Sequence, residues 1–255
     1  MTVTLYKYGP ACGMPDLSPF CIKLETFLRM AQIPYETQLG YPKQAPKGKL
    51  PYIEHHGKVV SDSTLIVDYL TDTFDVSLDS TLDNRQSSVG RAFQSMIEEH
   101  LYFAIVYFRW QDEEGWRSYE DVVAQTIQHA GAPQWLSETL TRLSRRSVLK
   151  ALNAQGTGRL GAEDVAALAC QQISAISNFL THKKYFLGER PSAIDATVFA
   201  FLESILRPPF SNPLRRHAKT LDNLVNYTER MRARYWNDIA PPLQYWSSPS
   251  PRSTQ

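Results

Sequence analysis

Ser18-Pro19-Phe20-Cys21 has the spacing of a two-sulfur redox motif, Cys-x-x-Cys, with serine in the first position. A thiolate at position 18 would attack disulfides. A hydroxyl there does not, but it can donate a hydrogen bond to a thiolate that another molecule brings. The motif lies where a short strand pattern gives way to a helix pattern. Helix N-termini carry unpaired N–H groups and partial positive charge, which favour an anion. A free thiol ionises near about 8.5. Lowering that value by two units raises the ionised fraction at pH 7 from a few per cent to about three quarters. The pattern therefore points to a site that receives a thiol and keeps it charged. The competing reading of Ser18 is a plain helix cap, satisfied by its own helix. Cys21, one turn into that helix, reads as a small buried apolar residue, with a redox-sensing thiol as its alternative. Cys12, in the loop before the helix, is the one other thiol near enough to approach the site.

The elements that position this motif alternate. Residues 3–8 (VTLYKY) alternate like a strand, and Gly9-Pro10 breaks the run. Pro19 fits the first turn of a helix. Phe20, Leu24, Phe27, Leu28 and Ala31 then share one helical face. Pro34 ends it, and residues 35–39 read as a second strand. Residues 51–55 and 58–60 form a hairpin around His56-Gly57. Residues 62–74 return to helix, with Leu65, Ile66, Tyr69 and Leu70 as its apolar face. The order is βαβ-ββα. After a polar linker at 77–84 everything reads helical, in long segments near 84–112, 134–153, 162–182, 192–206 and 220–236. In the third of these, Val165, Leu168, Ala169, Ile173, Ile176, Phe179 and Leu180 form a stripe that should face inward. Ser192 and Asp195 have the spacing of a capping box. The expected domains are 1–76, then 85–246, with 247–255 (SPSPRSTQ and its preceding serine) read as a disordered tail.

Bulk properties exclude several classes of function. The chain has 255 residues, of which 43% are hydrophobic and 21% charged, as in an ordinary globular protein. A net charge of +1 argues against nucleic acid or an anionic membrane as partner. The first residues lack a basic region followed by an apolar core, so no signal peptide is expected. The apolar run at 101–108 is about half the length a membrane-spanning helix needs, and reads as buried helix. Three scattered cysteines (Cys12, Cys21, Cys170) make no disulfide framework and suggest a reducing, cytoplasmic setting. No metal-ligand spacing and no nucleotide motif is present.

Three segments in order, SPFCIKLETFLRMAQIPYE, KGKLPYIEHHGKVVSDSTLIVDYL and FLGERPSAIDATVFAFLESIL, resemble the cytosolic glutathione transferase superfamily, and more narrowly its failed-axon-connections and metaxin-like branch. The resemblance covers residues 3–76 closely and 160–236 in pattern. It implies an α/β plus all-α fold: a thioredoxin-like glutathione-binding domain followed by an all-helical domain. It implies glutathione as co-substrate, a small apolar electrophile as the other substrate, and a possible homodimer. Ser18 takes the place of the residue that holds the glutathione thiolate in serine-type members, with Tyr8 as the runner-up, since other classes use a tyrosine from that strand end. Leu50-Pro51 matches the family's cis peptide, whose Leu50 N–H and C=O would pair with the cysteinyl part of the tripeptide. Lys47 or Lys49 would meet its glycine carboxylate. Asp62 and Ser63 match the acid-Ser pair that holds the γ-glutamyl end, with Asp where Glu is commoner. A helix cap would use the same two residues without a ligand. On the first helix after the linker, positions 103, 107 and 110 share one face and 102, 106 and 109 another; one should be core and the other an apolar substrate pocket or partner surface, with Phe103, Tyr107 and Trp110 as the candidate pocket. The branch also holds members that act in complex assembly, so a non-catalytic adaptor is the alternative function. Glutathione-dependent reduction through Cys12 is a third.

Overall fold

A computed structural model describes residues 2–238. The expected tail at 247–255 lies outside them. Strand β1 (Val3–Lys7) turns Val3, Leu5 and Lys7 inward and alternates as its sequence does. It pairs in parallel with β2 (Tyr35–Leu39) and antiparallel with β3 (Tyr52–His55), which pairs with β4 (Lys58–Ser61), giving the order β2-β1-β3-β4. Helix α1 (Pro19–Met30) joins β1 to β2, as a parallel pair requires. Helix α2 (Ser63–Phe74) follows the hairpin.

The rest is helical: α3 (Asn84–Met96), α4 (Tyr102–Val106), α5 (Glu113–His129), α6 (Gln134–Gln155), α7 (Ala162–Leu180), α8 (Ala193–Leu206), α9 (Pro213–Lys219) and α10 (Asp222–Tyr235). Two π-turns, Ile97–Leu101 and Tyr107–Gln111, flank α4. The fold is thus a thioredoxin-like sheet with an all-helical second half.

The core is continuous across the two halves because α1 is shared. One side of α1 covers the sheet and the other packs on α8. Every residue of α8 from 194 to 205 is buried, so it is the central post of the helical half. The Asp195 carboxylate reaches back to Ser192 N–H at 2.9 Å, as the capping spacing predicted, and also accepts from Phe186 N–H at 2.7 Å and Tyr227 OH at 2.8 Å. Trp236 is buried against α1 and donates to Thr26 Oγ1 at 3.1 Å.

Some expectations need correction. Leu65 and Leu168 were placed on inward faces but are exposed, because Ile66 with Leu70, and Val165 with Ala169 and Ile173, already fill those faces. The sequence segments also missed α5 and α9. The long 84–112 helix is broken by its two π-turns, each of which rotates the residues after it relative to a regular helix.

Candidate functional site

The end of the sheet where β1 finishes brings the site together. Tyr6 pairs with Tyr52, and Tyr52 with Ser61. Tyr8, Leu50-Pro51 and Asp62-Ser63 therefore follow or precede those paired residues at one edge. Ser18 opens α1 beside them, and Cys21, Leu50, Ala45 and Tyr52 form a small buried cluster with Tyr6 and Tyr8 packed on it. The Leu50-Pro51 bond is cis.

Ser18 is the N-cap residue of α1, with extended backbone (φ −94°, ψ 124°), yet its side chain caps none of the helix N–H groups. An N-cap serine ordinarily spends its oxygen on the N–H two or three residues on. Here the backbone is tied instead, Ser18 N–H donating to Asp16 Oδ1 at 2.8 Å. The hydroxyl stands next to the Cys21 thiol, which burial pushes well above its ordinary value, with Asp16 adding to the rise and the Ser18 hydroxyl opposing it. Burial likewise pushes the Tyr8 hydroxyl far above its ordinary value, with Cys21, Tyr102 and Asp16 contributing. A phenol so shifted stays protonated.

At the far side, Ser63 is buried as the first residue of α2 and accepts from Lys23 Nζ at 3.3 Å. An ammonium can only donate, so the Ser63 proton is left to point elsewhere. Asp62 has φ 84°, and its carboxylate accepts from Thr64 N–H at 3.0 Å and Leu65 N–H at 3.4 Å, so it caps its own helix. Lys47 and Lys49 are exposed in the loop before Leu50. Around this edge stand the Ser63 hydroxyl with its proton unspent on Lys23, the Leu50 backbone and two exposed lysines, while Asp62 already takes two of the first N–H groups of α2.

Between the two halves runs a groove of about 340 Å3, lined on one side by Tyr8, Gly9, Ala11 and Leu17, and on the other by Val122 and Thr126 of α5. Tyr41 closes one end, its hydroxyl donating to His129 O at 3.3 Å. Phe103, Tyr107 and Trp110 do not line it. Phe103 packs on Tyr102, Tyr107 donates to Leu160 O at 3.4 Å, and Trp110 stacks on Trp116 at 5.5 Å and meets Tyr119 edge-on at 5.4 Å. Tyr102, next to Phe103, reaches the N-terminal half, meeting Phe20 edge-on at 4.9 Å. A second, open hollow of about 530 Å3 lies around Met30, Phe74 and Arg190, away from these residues.

The sequence matches the family model described as "Glutathione S-transferase N-terminal domain" over residues 19–115, and "Glutathione S-transferase, C-terminal domain" over 169–231. It is 36% identical to the isoprene-epoxide glutathione S-transferase of Rhodococcus sp. (strain AD45), over 91% of this chain and 99% of that one. This chain belongs to the glutathione S-transferase family.

Within the family it also matches failed axon connections of Drosophila melanogaster, at 29% identity over 94% of this chain and 60% of that protein, and metaxin-2 of Mus musculus, at 28% over 85% and 82%. The fold is shared with a beta-etherase from Sphingobium sp. strain SYK-6 (TM-score 0.62, 19% identity, 91% of this chain and 96% of that one). A glutathione transferase from Phanerochaete chrysosporium shares it as well (TM-score 0.62, 15% identity, 94% and 99%).

Among the described residues, the groove is lined by no cysteine. Cys12 is buried, and burial pushes its thiol up to about 11 despite Arg109 nearby, so it is protonated at neutral pH. This weighs against reduction through Cys12. The groove-lining residues of α5 were missed from sequence, although a signal existed. Asp112 followed by Glu113-Glu114 is a helix start, and Trp116, Tyr119, Val122 and Val123 recur on one face.

Proposed function

We propose that the chain binds glutathione at the sheet edge between its two halves and transfers the thiol to a small apolar electrophile. The observation that carries this is the Ser18 hydroxyl, set at a helix N-terminus and not spent on capping it. In this reading Ser18 and the first N–H groups of α1 hold the thiolate. Leu50 pairs through its backbone with the cysteinyl unit. Ser63 donates its free proton to the γ-glutamyl carboxylate, Asp62 meets the ammonium, and Lys47 or Lys49 meets the glycine carboxylate. The electrophile lies in the groove between Leu17 and α5. Catalysis is thiol ionisation plus positioning. The relative of Rhodococcus makes a small epoxide the first substrate to try. There the sulfur attacks a ring carbon, the C–O bond opens, and the released alkoxide takes a proton from water. Three free cysteines fit a reducing, cytoplasmic setting.

A second reading, a non-catalytic adaptor, is favoured by Asp62, which already serves as a cap for α2, and by the metaxin relatives. Thermal unfolding with and without glutathione separates the two. A ligand that binds only the folded chain at a hundred times its Kd adds about 2.7 kcal/mol and raises the midpoint. The transferase reading expects that rise, and expects it to shrink in Ser63→Ala. No rise at millimolar glutathione, with no conjugation of an epoxide or aryl halide, leaves the adaptor.

A further inference from the structure

Residues 8–18, which join β1 to α1, are held by their backbone at nearly every second position. Three alternate carbonyls each accept from a cation on a different element. Arg232 of α10 donates to Gly13 O at 3.3 Å, Lys7 of β1 to Pro15 O at 3.2 Å, and Arg109 to Leu17 O at 3.2 Å. Arg109 also donates to Ser204 O of α8 at 2.9 Å, so this loop is anchored to the helical half.

The two ends of the loop are tied by something else. Gly9 N–H donates to Asp16 Oδ2 at 2.7 Å and Ser18 N–H to Asp16 Oδ1 at 2.8 Å. One carboxylate thus joins the end of β1 to the cap of α1. Asp16 is wholly enclosed, and Lys7, which acts on it across the core, is itself paired with Glu25. A buried carboxylate without an ion pair is costly, so its retention calls for a reason. The Ser18 side chain caps no N–H of α1 and lies beside the Cys21 thiol, on a backbone that Asp16 holds.

We propose that Asp16 is a positioning residue: by accepting from Gly9 and Ser18 at once, its carboxylate sets where the Ser18 hydroxyl points. This rests on the reading of Ser18 as the donor to the glutathione thiolate. Protonation is the natural perturbation, because a carboxylic acid spends one oxygen on its own proton and one of the two N–H groups loses its acceptor. Burial pushes the Asp16 carboxyl up to about 6, Glu25 adding to the rise, while Lys7 and the two N–H bonds oppose it. The groups that face it are Lys7 and Tyr8 from β1 and its end, and Cys21 and Glu25 from α1. From the helical half, Arg109 and Arg232 grip the carbonyls on either side. The exchange therefore falls just below neutral pH.

The experiment follows the amide resonances of the full chain from roughly pH 5 to 8, beside the pH profile of glutathione conjugation in wild type and Asp16→Asn. The Gly9 and Ser18 amides should shift together with a midpoint near 6. The wild-type acid limb of log kcat/KM should steepen below that point to a slope of about two, one proton from the thiol and one from Asp16. In Asp16→Asn it should return to about one, with activity near neutral pH down about tenfold. Amides that do not move together, or an acid limb unchanged in Asp16→Asn, overturn the proposal. If wild type turns over no glutathione at any pH, the transferase reading falls. The amide titration in wild type then decides alone whether the carboxylate holds the loop.

Discussion

Lys23 of α1 and Glu98 of the first π-turn form a buried ion pair at 2.6 Å that spans the two halves of the molecule. All three ammonium protons have acceptors, the others being Thr64 Oγ1 at 3.0 Å and Ser63 Oγ at 3.3 Å. Thr197 of α8 completes the carboxylate's shell at 3.2 Å. Removing only the lysine strands a buried negative charge, which typically costs 3–5 kcal/mol, whereas replacing both partners with apolar residues is often near neutral. Lys23→Met should therefore lose about 3 kcal/mol or more in urea unfolding, and Lys23→Met with Glu98→Leu should recover most of it. A single variant within about 0.5 kcal/mol of wild type would show that the pair is not enclosed in solution.

The two candidate hydroxyls at the cleft make opposite predictions. Ser18 carries an Oγ at a helix N-terminus that caps no helix N–H and has the Cys21 thiol as its neighbour, whereas Tyr8 is partly buried and its phenol is held far above its ordinary value by burial. Ser18→Ala should lower kcat/KM for glutathione conjugation by tenfold or more, about 1.4 kcal/mol, and move the acid limb to higher pH. Tyr8→Phe should change it by less than about threefold. If the tyrosine variant is the one that fails, the thiolate contact belongs to Tyr8 and the assignment of Ser18 is wrong.

What was legible in the sequence was local. Pro19 after Ser18 marked the start of α1, the alternation of VTLYKY marked β1, Leu50-Pro51 marked the cis bond and Asp62-Ser63 the start of α2. What was illegible depends on partners far along the chain. Asp16 looks like any loop aspartate until Gly9 and Ser18 are seen on its two oxygens. Lys23 sits on a helix that reads amphipathic, and its burial becomes evident once Glu98 arrives from 75 residues away. The two π-turns defeat a regular helical count, which is why Phe103, Tyr107 and Trp110 were assigned to the cleft when α5 supplies its wall.

That wall depends on a glycine. Gly115, in the first turn of α5, donates its N–H to Asp112 Oδ2 at 2.8 Å, and a Cβ there would stand 1.8 Å from Phe108 O. Intrinsic propensity says that Ala in a helix gains about 1 kcal/mol over Gly. Here the contact is with backbone in the neighbouring π-turn, which has no flexible end to move aside. Gly115→Ala should reverse the sign and destabilise by about 2 kcal/mol or more, read as a lowered Tm. It should also disturb the groove, because Val122 and Thr126 lie further along the same helix. A variant at or above the wild-type Tm would mean that the turn at Tyr107–Gln111 is not as close as found.

Asp16 also gives a pH dependence of stability whose sign can be worked out. Its carboxyl is raised from 3.8 to about 6, so the folded chain binds that proton more tightly than the unfolded chain. As pH rises through the window from 3.8 to about 6, the unfolded form gives the proton up first and stability is lost. At about 1.4 kcal/mol per unit, the cost carried at neutral pH is on the order of 3 kcal/mol. Asp195 and Glu203 are raised by burial in the same direction, so a wild-type curve alone mixes all three. The difference between Asp16→Asn and wild type isolates the one. That difference in unfolding free energy should move in favour of the variant as pH rises from about 4 to 7, while the variant loses activity. A difference flat across that range would place Asp16 in contact with water and end its role as a buried link between β1 and α1.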